Sequence, residues 1–272
     1  MILENVLRDY VMCHLAGHIL CFTRHVSCSD NRAAAQKSLV TNRICTNPDS
    51  IEAGIWGILL WSFKMRESDP TLRGTILALA RRYDFEEVHS LQDERLALCL
   101  FDETARVGLH RLGRHLEQDT AIASCSPRDI LSSAAILHDI GYVEGYEQHH
   151  KTAFRLIMAD PIPGLSSHDQ TLVAHVARYH RGGTPDPVKH PAFAALPTAD
   201  RSLVEQLGAI IRFADGLDRS HANAVADLRC ALDGNRLIVT LLPGLDNEAE
   251  RWAGQKKARW FESVFGVRVI LE

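Results

Sequence analysis

Apolar residues recur at helical spacing over most of the chain. Leu72, Ile76, Leu79 and Ala80 form a stripe behind Asp69-Pro70, where proline suits the first turn of a helix. Glu86 to Ala105 predicts a second helix. His89, Leu96 and Leu100 share one face of it, so His89 points inward near its start. Residues 107–126 are less regular, and His110, Arg111, Arg114 and His115 read as a solvated face. Ser126-Pro127 supplies an N-cap and a proline at the next position for a helix running to His138-Asp139. Further helices are expected from His149, from Ser167 to His180, from Asp200 to Leu217 and from Asn247 to Phe265, with a proline-bearing loop over 186–197.

The period changes near residue 225. Leu228–Leu232 and Arg236–Leu241 read as strands around Asp233-Gly234-Asn235, and Val267–Leu271 as a last strand. The expected fold is therefore mainly α. A helical body over 50–224 carries a small α+β subdomain over 225–272, with a poorly defined segment at 1–49. In that segment His14, His18, Cys21 and His25 fall on one face of a predicted helix. Successive turns rise about 5.4 Å, so one straight helix offers at most about three ligands to one ion. The row is read as incidental, and residues 31–50 as a loop.

Composition narrows the classes. The 272 residues are 46% hydrophobic and 24% charged, with net charge -4. No basic run suggests binding to a nucleic acid duplex. No apolar stretch has the roughly 18 residues a membrane span needs. The N-terminus lacks the basic and apolar regions of a signal peptide, so a cytoplasmic location is expected. Seven cysteines without a CxxC pair fit reduced thiols rather than a disulfide framework.

Several polar side chains fall on apolar faces: His89, His138, Asp139, His149 or His150, His180 and Asp215. A buried carboxylate demands a partner. Imidazole and carboxylate together suit Mn, Fe, Ni, Co or Zn. Four such ligands hold one divalent ion; six hold two, about 3.5–4 Å apart, with Asp139 as a bridge, an arrangement that activates water and clamps a phosphoryl oxygen.

The order His, then His-Asp, then Asp, with two further histidines, resembles the HD superfamily of metal-dependent phosphohydrolases. Leu137-His138-Asp139-Ile140-Gly141-Tyr142, His149-His150-Lys151, Ala177-Arg178-Tyr179-His180-Arg181-Gly182 and Arg212-Phe213-Ala214-Asp215-Gly216-Leu217-Asp218-Arg219 resemble more closely the C-terminal half of the exopolyphosphatase / guanosine pentaphosphate phosphatase family. The resemblance runs from about Ile51 to the C-terminus. Residues 1–49 are too few for that family's actin-like half, so exopolyphosphatase activity does not transfer by name. The resemblance implies a two-metal phosphohydrolase acting on a phosphorylated small molecule, a nucleotide or polyphosphate. Asp139 and Lys151 are the catalytic candidates, and Lys151, Arg178, Arg181 and Arg219 the candidates for holding substrate. His149 and His150 remain alternatives as ligands, and a homodimer is allowed. The rival readings are a non-catalytic polyphosphate- or nucleotide-binding module, or a partner of a separate actin-like chain.

Overall fold

The computed structural model describes residues 10–15, 18–23, 70–112, 125–242 and 247–272. The chain divides into two compact units, Met1–Phe63 and Lys64–Glu272. In the first, β1 (Tyr10–Leu15) and β2 (His18–Thr23) pair antiparallel, with Tyr10 opposite Thr23 and Leu15 opposite His18. This overturns the helix expected through His14, His18 and Cys21. Tyr10, Val11, Ile19, Phe22 and Thr23 are β-branched or aromatic and favour a pleated strand over a helix. His14 pairs with Ile19 and Cys21 with Met12, so the shared helical face does not exist. His25, the loop expected over 31–50 and the segment Ile51–Leu60 lie outside the described residues, as do Arg114 and His115.

The second unit is mainly helical. Its helices are α1 (Pro70–Arg81), α2 (Glu87–Arg106), α3 (Pro127–Leu137), α4 (His149–Ala159), α5 (Ser167–Arg178), the single turn α6 (Pro191–Ala194) and α7 (Thr198–Gly216). The sheet follows as β3 (Asp227–Asp233) and β4 (Arg236–Leu242), then α8 (Glu248–Phe265) and β5 (Arg268–Leu271). The turn α6 sits where the sequence suggested only loop. Pro191 at its first position and the bond from Ala194 N–H to His190 O explain it.

Helix α3 is the axis. Ser126 caps it, accepting from the Asp129 backbone N–H, and Asp129 returns a bond to the Ser126 N–H. From Ile130 to Leu137 every residue is buried, because α1, α2, α5 and α7 pack around it. A helix buried on all sides belongs inside a bundle. Leu131, Ile136 and Leu137 are fully buried, each worth about 1.5–3 kcal/mol of transfer free energy. The C-terminal end of α3 is thereby fixed inside this unit, and the His-Asp pair is carried there with it.

The sheet runs β3-β4-β5, antiparallel then parallel. Gly234 takes φ +59° in the tight turn between β3 and β4, as the Asp-Gly-Asn sequence predicts. β3 packs on α2 and α8 packs on α7, so the C-terminal elements adjoin the helical body within one compact unit.

One surface expectation fails. His110 is buried rather than solvated, with Nε2 3.0 Å from both Thr104 Oγ1 and the Phe101 carbonyl. Two acceptor-capable partners and a ring contact with Phe101 make it a satisfied core histidine. Arg111 is exposed, as expected. No helix among the described residues is long and apolar enough to cross a membrane.

Candidate metal centre

Five helix ends meet at one point. His89 and Asp93 come from the first turns of α2, and His138-Asp139 directly follow α3. His149 opens α4, His180 follows α5, and Asp215 lies in the last turn of α7. Helix C-termini present partial negative charge, so the ends of α3, α5 and α7 favour a cation here.

The histidines are oriented by one repeated device. Nδ1 of His138 lies 2.7 Å from Ala135 O, Nδ1 of His149 2.9 Å from Tyr146 O and Nδ1 of His180 2.7 Å from Ala177 O. Each partner is the carbonyl three residues earlier. Nδ1 of His89 lies 2.8 Å from Asp218 Oδ2. A carbonyl or carboxylate oxygen accepts, so every Nδ1 carries a proton and every Nε2 is left facing inward.

Those Nε2 atoms surround Asp139. Its Oδ2 lies 3.3 Å from His138 Nε2 and 3.8 Å from His89 Nε2. Its Oδ1 lies 3.3 Å from His149 Nε2 and 3.4 Å from His180 Nε2. Asp93 Oδ2 lies 3.4 Å from His138 Nε2 and 3.6 Å from His89 Nε2. His149 Nε2 and His180 Nε2 face each other at 3.3 Å. Ligands about 2.1 Å from a shared ion sit about 3–3.5 Å apart, the spacing of all these pairs except the two of His89 Nε2, which are slightly longer. His89, Asp93, His138 and Asp215 offer one set of close donor atoms, and His138, Asp139 and His180 a second.

Several of these atoms have no hydrogen-bond partner despite full burial: both oxygens of Asp93, Oδ1 of Asp139 and Nε2 of His138. Unpaired buried carboxylate oxygens are costly, and a cation satisfies all of them at once. The donor set therefore fits a divalent metal.

The electrostatics say the same. Burial alone would lower the His138 pKa, but Asp139, Asp93 and Asp215 outweigh it and push it up to about 10. His180 is held well below its ordinary value, by burial first and then by charge on His138. Burial raises Asp93 to about 7, with Asp215 and Asp139 adding to it and His89 and His138 opposing. Burial likewise opposes ionisation of Asp139, yet His138, His149 and His180 drive its pKa well below the usual carboxylate range. A proton on His138 thus supplies the positive charge the cluster demands.

The centre floors a cavity of about 950 Å³, lined by His89, Asp139, His149, His180 and Asp215 together with basic side chains. Two of the candidates for holding substrate, Arg181 and Arg219, line it. Arg181 donates to the Tyr146 hydroxyl at 2.6 Å and stacks 4.5 Å from that ring's centroid. The other candidates are elsewhere. Lys151 is exposed and donates to Gln148 Oε1 at 3.0 Å. Arg178 lies over the rings of Phe154 and Tyr179, 5.5 and 5.7 Å from their centroids. Neither lines the cavity. His150 is half-buried beside the centre, its ring roughly perpendicular to those of His149 and His180. The geometry brings His149, not His150, against Asp139.

Several site residues were not singled out from the sequence. Asp93 sits four residues after His89, a spacing that shares a helix face, and that signal was readable. Asp218 is three residues past Asp215, in the turn after α7. His221 stacks on His89 at 3.9 Å, with its Nδ1 2.8 Å from Glu86 Oε1. Arg212 donates to the carbonyls of Tyr179 and Gly182, at 3.0 Å each, and lies over Trp260. Lys256, Lys257 and Arg259 line the cavity from α8. These last arrive only through tertiary packing.

A mainly helical domain with a small terminal sheet, gathering histidines and carboxylates beneath a basic cavity, defines the class. The chain belongs to the Ppx/GppA phosphatase family: residues 73–247 match the model of its domain III. That match spans His89 through Asp218 and ends just before α8, a narrower range than the resemblance from Ile51 onward. No curated protein matches the sequence.

Proposed function

We propose that this domain is a metal-dependent phosphohydrolase of HD type, acting on a phosphoester or phosphoanhydride. The observation that carries the reading is the convergence of four inward-facing Nε2 atoms and three carboxylates on one buried point, each imidazole fixed from behind. His89, His138, Asp93 and Asp215 would hold one divalent transition-metal ion, and His149 and His180 a second, with one oxygen of Asp139 facing each group. Such ions supply, when bound, an acidified water and a polarised phosphoryl oxygen.

The protein's own side chains do the rest. Asp218 and three backbone carbonyls hold the imidazoles in their ligating tautomer. Arg181, locked against Tyr146, and Arg219 offer donors to anionic oxygens at the cavity wall. With Arg212, Lys256, Lys257 and Arg259 the wall carries six cationic side chains against the two carboxylates that reach the cavity, Asp139 and Asp215. That balance favours a substrate with several negative charges, a nucleotide or polyphosphate, over a neutral one. Family membership as a phosphatase supports the same class.

The test is metal-loaded protein, with Mn, Co or Ni, against a panel of phosphomonoesters, nucleotides and polyphosphate. Release of inorganic phosphate that disappears in Asp139→Ala is expected. Turnover that survives this substitution, or none with any metal, defeats the reading. Retained ligand binding without turnover would instead favour a non-catalytic module.

A further inference from the structure

In the scheme above Lys257 only adds to the positive charge of the cavity wall. It lies on α8, beyond the residues that match the family model. Its ammonium donates to Asp215 Oδ2 and has no other hydrogen-bond partner among the described residues. Two of its three N–H groups are therefore uncommitted. The pair is partly shielded, with the lysine side chain 30% and the aspartate 14% exposed.

This placement is built into the helix crossing. A Cβ at Gly216 would lie 3.0 Å from Gly254 Cα, 3.1 Å from Ala253 O and 3.1 Å from Lys257 Cδ. One at Gly254 would lie 2.6 Å from Leu217 Cδ2. Two glycines thus let α7 and α8 touch backbone to backbone. The stem of Lys257 lies along Gly216, and its head reaches the neighbouring residue, Asp215. A lysine on an ordinary helix face would stop at the rim.

An anion entering this cavity meets the carboxylates of Asp139 and Asp215. Lys257 neutralises the second and still has donors to spare. We infer that Lys257 is a substrate-positioning residue: one N–H holds Asp215, and the free N–H groups take a phosphoryl oxygen of the anionic group bound at the histidine/carboxylate centre. A compact ammonium suits that task as a point charge. The inference rests on the metal-dependent reading of the same site.

The test uses inorganic phosphate as probe, titrated calorimetrically into the Mn-loaded full chain, with metal content measured by elemental analysis. Lys257→Met removes the charge. Lys257→Gln removes it but keeps a donor for Asp215, separating folding from charge. Lys257→Arg restores it. Both neutral variants should keep their metal and their melting temperature to within a few degrees, and bind phosphate about tenfold or more weakly. Lys257→Arg should recover most of the affinity. Phosphate affinity like the wild type in either folded neutral variant overturns the proposal. So does loss of metal in step with phosphate, which would reduce Lys257 to a support for Asp215. A metal-loaded wild type that binds no phosphate overturns it as well. A wild type that binds no metal strikes the metal-dependent reading itself.

Discussion

His89 and Asp218 are joined by a 2.8 Å hydrogen bond between Nδ1 and Oδ2, tying the start of α2 to the turn after α7. Both side chains are almost wholly buried. Asp218 also accepts from the Asn223 backbone N–H at 3.2 Å, so its own orientation is set. Asp218→Asn keeps the shape but frees the His89 tautomer. Metal affinity should fall about 10–100-fold with the fold intact. Competition with a chelator of known affinity measures it, and an unchanged affinity would remove Asp218 from the centre.

Gly141 touches α4 closely. A Cβ there would lie 2.0 Å from His149 O and 2.7 Å from Ala153 N, both backbone atoms. No rotamer change relieves such a clash, so α4 must move and take His149 with it. Gly141→Ala should cost about 3 kcal/mol of stability and weaken metal binding together. Denaturant unfolding and elemental analysis check the two effects. A loss below about 0.5 kcal/mol would mean the contact between Gly141 and α4 is slack.

Much of this was legible in the sequence, for identifiable reasons. The helical period, Ser126-Pro127 and the turn at Gly234 are local signals, and the elements they specify are present. Inward-facing His89, His138, His180 and Asp215 were visible because polar residues interrupt apolar stripes. Asp93 is masked in the sequence because His89, Leu96 and Leu100 already complete the inward stripe of α2 without it. The choice between His149 and His150 turned on the entry angle of α4, which local sequence does not encode. Lys257 belongs to a charged helix, and only the crossing at Gly216 and Gly254 turns one of its many cations inward. In the hairpin at Tyr10–Thr23 histidine and cysteine recur at a spacing that mimics a helix face, while the β-branched and aromatic residues carry the strand preference.

Asp93 sets a pH dependence. Its pKa is raised to about 7 against an ordinary value near 4, by burial with Asp215 and Asp139 adding. The metal-free folded state therefore keeps a proton there that the unfolded chain loses near pH 4. Stability from this group is full below about pH 4 and is lost as pH rises through about 7. Asp93→Asn, which carries no charge, should make the metal-free protein more stable at pH 8 while reducing metal affinity. Melting curves at pH 5 and pH 8 with and without Mn test both. A variant less stable than wild type at pH 8 without metal refutes the account.

His175 gives the opposite slope. It is 2% exposed in α5, with its ring against Phe154 at 4.9 Å between centroids and near Phe193 at 6.1 Å. Its Nδ1 has no hydrogen-bond partner. Burial lowers its pKa to about 4, and the charges of Arg178 and His190 push the same way. The unfolded chain takes up a proton near pH 6.5, whereas the folded state refuses it until about pH 4. Stability is thus full above about 6.5 and declines as pH falls toward 4, by up to about 3 kcal/mol from this residue. His175→Leu keeps an apolar side chain of similar size and removes the titration. Between pH 7 and pH 4 it should lose about 2–3 kcal/mol less than the wild type in urea unfolding of the metal-free protein. Parallel losses in the two proteins would show that His175 accepts its proton in the folded state.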